Sequence, residues 1–104
     1  MPFIILTFVF SLLNFSADVQ AKPYVYVEHG HNQAGFARSR ITNKTTQDLA
    51  CTMSIDGYKI KYVLTALATS KWYTATEKNY NHTHFSSWCG YLTLYPTFEK
   101  YRAR

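Results

Sequence analysis

The chain has 104 residues, with 11 Lys or Arg against six Asp or Glu and a formal net charge of +5. That length bounds the protein to one small domain. Its two cysteines, far apart and without CxxC spacing, support neither a thiolate metal site nor a redox pair.

Residues 2–15, PFIILTFVFSLLNF, are almost wholly apolar and lead into a polar stretch ending Val19-Gln20-Ala21. The pattern predicts a signal peptide over residues 1–21, cut after Ala21, and export to a periplasm or the extracellular space. The run is shorter than the about 20 apolar residues of a spanning helix. No Lys or Arg precedes it, and an uncleaved N-terminal anchor is the competing reading. Cutting after Ala21 leaves 83 residues, 22–104, read as a single exported domain with no further membrane span. All 11 basic residues stay with it and Asp18 is lost, so its net charge is +6. Such an excess favours acidic partners. The charges are scattered, however, and a net charge of this size also serves plain solubility.

Past the cut, Pro23–Glu28 alternates Tyr24, Tyr26 and Glu28 against Val25 and Val27, which predicts a strand. His29–Gly35 reads as a loop. Phe36–Thr42 sets Arg38 and Arg40 on one face against Ala37, Ser39 and Ile41, and is read as an edge strand with its charges in water. The strongest signal is Leu49–Leu64. Asp56-Gly57 is a two-residue turn needing positive φ, and folding the chain there pairs Ile55 with Tyr58, Met53 with Ile60, Cys51 with Tyr62 and Leu49 with Leu64. All eight side chains are apolar or aromatic and share one face. A further strand is expected at Lys71–Thr76. The last is expected at Ser87–Tyr95, central in its sheet because both its faces are bulky. Thr97–Arg104 reads as a short, basic, frayed tail.

Six short antiparallel strands without a helical period predict an all-β sandwich, with a small β-barrel as the alternative. In an exported chain, two cysteines imply one disulfide, Cys51–Cys89. With Trp72 and Trp88 available to pack near it, the bridge resembles that of immunoglobulin-like sandwiches. The resemblance concerns architecture and implies no activity.

All four histidines fall in two His-x-His pairs, His29/His31 and His82/His84. On extended backbone each pair projects from one face, and two pairs brought together suit Zn or Cu, with Glu28 as oxygen ligand or orienting partner. Both pairs lie in polar loops, where exposed histidine needs no purpose. Nine tyrosines and two tryptophans exceed what a small core can hide. Trp72, Tyr73 and Tyr80 with Lys71 and Lys78 form the candidate binding patch. Asn43-Lys44-Thr45 and Asn81-His82-Thr83 are N-glycosylation sequons in expected loops, the first in a polar turn over Asn43–Asp48. No motif fixes a nucleophile and base together, so no enzyme is expected. The expected function is a small exported binding module for a protein or acidic-glycan partner, without nucleic acid. A divalent-metal-binding protein is the alternative.

Overall fold

The computed structural model describes residues 22–102; the expected signal peptide, 1–21, and Ala103-Arg104 lie outside them. Six strands form: β1 (Val25–His31), β2 (Ala37–Asn43), β3 (Leu49–Ile55), β4 (Tyr58–Leu64), β5 (Tyr73–Thr74) and β6 (Phe85–Tyr91). They make two antiparallel three-stranded sheets, one ordered β1-β2-β5 and the other β4-β3-β6. The all-β architecture is the expected one.

The β3–β4 hairpin forms as its sequence dictates. All seven cross-strand pairs run in the expected register, from Leu49–Leu64 to Ile55–Tyr58. Asp56 at φ 50° and Gly57 at φ 93° supply the two positive φ angles of the turn. Leu49, Cys51, Met53, Tyr62 and Leu64 then face Ala37, Ile41, Tyr73 and Ala75 from the other sheet, and Phe85 closes the same core. Inside it, Asn43 is fully buried. Its amide nitrogen donates to the carbonyls of Gln47, Leu64 and Thr65, while its oxygen accepts from the Thr45 amide and hydroxyl. The first sequon therefore holds a structural asparagine, its amide nitrogen fully engaged.

Cys51 and Cys89 are direct partners across β3 and β6, with Cα atoms 4.1 Å apart. The ladder alternation explains that closeness, because Cys51 spends its backbone bonds on β4 and meets β6 at a non-hydrogen-bonded pair. The disulfide exists as expected, but within one sheet. Immunoglobulin domains bridge their two sheets instead, so that part of the resemblance is not carried by the bridge. Neither tryptophan packs as that arrangement would have it: Trp72 and Trp88 both lie on outer faces.

Several placements differ from the sequence reading. β2 is central in its sheet rather than at an edge; its arginines mark an outward face, and face and lateral position are independent. β6 is an edge strand, shifted to Phe85–Tyr91. Its second apolar face is covered by chain from its own C-terminal side, where Trp88 meets Tyr95 edge-on at 4.9 Å and Phe98 at 6.2 Å. Gly90 admits this cover: a Cβ there would come within 2.6 Å of Tyr95 and 2.8 Å of Trp88. The tail is ordered over Pro96–Tyr101 as a 3₁₀ helix beside β4, and Arg102 ion-pairs with Asp48 and Glu99. The expected strand at 71–76 shrinks to two residues. Around it, Ser70 clips β2 through its backbone amide and its hydroxyl to Ile41.

Candidate functional site

The outer face of the β1-β2-β5 sheet gathers the charge. Alternation puts Glu28 and Gly30 of β1 and Arg38 and Arg40 of β2 on that face. The register sets Glu28 opposite Arg40 and Gly30 opposite Arg38. Arg40 Nε donates to Glu28 Oε1 at 2.6 Å. That bond, helped by the guanidinium charge, holds the Glu28 carboxyl below its ordinary range. Trp72, just before β5, lies among these side chains. The guanidinium carbons of Arg38 and Arg40 sit 4.3 and 4.4 Å from its ring centroid, and its edge reaches Gly30.

The two arginines differ in one respect. Arg40 is neutralised by Glu28. Arg38 has no carboxylate partner among the described residues, and its Nε is shielded from solvent without a hydrogen-bond acceptor. Its guanidinium carbon lies over the indole ring. The site thus combines an aromatic ring with one uncompensated guanidinium.

The expected patch does not gather on one face. Trp72 belongs to the site just described. Tyr73, the next residue along an extended chain, points the opposite way into the core, where it meets Tyr62 at 5.2 Å and burial raises its phenol pKa. Lys71 lies 5.4 Å from the Tyr73 ring and Lys78 lies 5.7 Å from that of Phe36. Tyr80 is at the hairpin tip, donating to Asp56 Oδ2 at 2.9 Å, and that bond raises its pKa. Arg38 and Arg40 were missing from the expected set. Their spacing of two opposite Glu28 was the available signal.

The histidines are brought together only in part. His29 and His31 share a face because β1 runs through His31, where a loop was expected from His29 onward. His82–His84 is a 3₁₀ turn rather than extended chain, so the second pair diverges. His84 accepts from the Asn81 amide through Nδ1 and stacks on Tyr80. His82 meets His29 with ring centroids 5.4 Å apart. His29 Nδ1 hydrogen-bonds Ser39 Oγ at 2.6 Å, which leaves Nε2 as its outward nitrogen. Among the described residues no group of three or more His, Cys, Asp or Glu is placed to hold a metal ion. Asn81 of the second sequon is exposed, with its oxygen accepting from the amide and hydroxyl of Thr83.

A hollow of about 740 Å³ lies between Gln47-Asp48 and Leu92–Glu99, and Arg102 already engages both of its carboxylates. Compared with protein families, curated proteins and solved structures, the chain matches none.

Proposed function

We propose that this protein is an exported, non-catalytic binding domain that engages an acidic polysaccharide through Trp72 and Arg38. The observation that carries the reading is the Arg38 guanidinium, held against the indole with no carboxylate to neutralise it. A planar guanidinium pairs with a carboxylate or sulfate through parallel hydrogen bonds. The partly exposed indole, over which both guanidiniums lie, adds aromatic surface beside the cation against which a sugar ring can pack. The disulfide supports an oxidising compartment, and among the described residues no helix is long and apolar enough to cross a membrane. The Ser39–His29 pair does not favour a catalytic dyad, because Ser39 is fully buried and its hydroxyl orients the imidazole rather than facing a substrate.

Titration of the purified protein with dextran sulfate and polygalacturonate, with neutral dextran as control, tests the proposal. Binding to the acidic polymers should weaken with salt and fall about tenfold or more in Arg38→Ala. Equal binding of neutral dextran, or an unchanged affinity in Arg38→Ala, would contradict it.

The contact between His29 and His82 supports a second reading, a weak two-imidazole site for Zn or Cu. Calorimetry with each metal checks it. Saturable heat that His29→Ala abolishes is the outcome that reading requires.

A further inference from the structure

The outer edge of β4 is an open strand. β4 lies at the end of its sheet and pairs only with β3. In a two-residue hairpin the residues flanking the turn exchange both backbone bonds, and the pattern alternates from there. Tyr58, Ile60, Tyr62 and Leu64 therefore spend their N–H and C=O groups on β3. Those of Lys59, Lys61 and Val63 point outward, and no backbone or side-chain partner among the described residues meets them.

This edge opens onto the gap between the sheets. Two hollows meet at Ile60. One, about 310 Å³, is lined by Ile55, Tyr58, Thr74 and Tyr80. The other, about 480 Å³, is lined by Tyr62, Tyr73, Lys61 and Lys71 and, from the C-terminal 3₁₀ segment, by Tyr101 and Arg102, with Lys61 Nζ 6.0 Å from the Tyr101 ring. An added strand would satisfy the free backbone groups and place every second side chain in these hollows.

We propose that β4 receives an extended acidic peptide segment of a partner protein as an additional antiparallel strand. Charge selects this occupant. Lys59 and Lys61 are exposed on β4, and Lys71 stands across the groove. A second copy paired about Lys61 would set that lysine against itself with Lys59 nearby, an unfavourable like-charge arrangement. Lysines on an edge discourage self-association, and the same lysines attract a strand carrying Glu or Asp.

Calorimetry with capped peptides tests the inference on the purified protein. The probe alternates Glu and Val, and its controls are the Lys-Val counterpart and a Glu-Val peptide N-methylated on alternate amides. One-to-one binding of the Glu-Val peptide is expected, with about tenfold or greater weakening on N-methylation. Lys61→Pro should weaken binding similarly, since it deletes an outward N–H and no ladder bond. Should that variant fail to fold, Lys59→Glu with Lys61→Glu decides, and it should invert the preference towards the Lys-Val peptide. Arg38→Ala should leave peptide binding unchanged, which separates this surface from the Trp72 site. Equal affinity for the N-methylated peptide would overturn the inference. So would a protein dimer in sedimentation that Lys61→Pro converts to monomer, because the edge would then serve a second copy.

Discussion

Two buried polar side chains with opposite hydrogen-bond status decide much at the scale of single residues. Asn43 is satisfied on both its nitrogen and its oxygen. Asn43→Ala strands buried carbonyls and should cost about 3 kcal/mol, and Asn43→Asp should do no better, because a carboxylate cannot donate. Denaturant unfolding measures both. The Tyr62 hydroxyl is buried with no partner. Tyr62→Phe removes that orphaned group and should raise stability by about 1 kcal/mol. Burial, and then the charge of Tyr73, push the Tyr62 hydroxyl well above its ordinary range. The sign follows: an unfolded tyrosine ionises near pH 10 while the folded one keeps its proton. The contribution is whole below about pH 10 and is lost as pH rises towards the folded value. Thermal midpoints should therefore fall on the alkaline side, and less steeply in Tyr62→Phe. Neither residue was legible in the sequence. Alternation places Tyr62 inside, but whether its hydroxyl finds an acceptor depends on chain remote from it. Asn43 read as a loop sequon because its partners, Leu64 and Thr65, are 21 and 22 positions away.

Among the elements, the β3–β4 hairpin was fully legible because its turn chemistry and both its faces agree on one register. Gly57→Val should destabilise strongly, since a β-branched residue is costly at φ 93°. Thr52→Val, half-buried on the outer face, should shift the thermal midpoint little. Equal shifts would contradict the turn. The other strands were legible as strands but not as neighbours. Period-two alternation encodes which face a side chain takes and carries no information on lateral order. That is why Arg38 and Arg40 suggested an edge for a central strand, and Trp88 and Leu92 a central place for an edge strand. β6 ends early because the Tyr95 N–H donates back to the Leu92 carbonyl and closes a 3₁₀ turn over Leu92–Leu94. Its residue types suit a strand equally well. The binding patch scattered for the same reason: Trp72 and Tyr73 are adjacent, and adjacent residues of a strand cannot share a face.

For the molecule as a whole, a core drawn from two three-stranded sheets is small, and the bridge joining β3 to β6 spans 38 positions. On the chain-entropy estimate it contributes about 4 kcal/mol. Reduction should lower the thermal midpoint by well over ten degrees, at about 4–8 °C per kcal/mol for a domain of this size. Intact mass of the protein should be two hydrogen atoms below the dithiol form. The surface divides into a cationic aromatic face on one sheet and an open, lysine-bearing edge on the other. Glu28 tunes the first. It cancels Arg40, and its own carboxyl is held ionised by that arginine, so the face carries less positive charge than its two arginines supply.

The most direct measurement compares three proteins in one dextran sulfate titration at low salt: the unaltered chain, Arg38→Gln and Glu28→Gln. Arg38→Gln should weaken binding by about tenfold or more. Glu28→Gln, which frees Arg40 on the same face, should strengthen it. Opposite signs from two changes on one face are what the Trp72 site predicts. Affinity lowered by both, or changed by neither, would place the binding elsewhere on this basic chain and contradict the account.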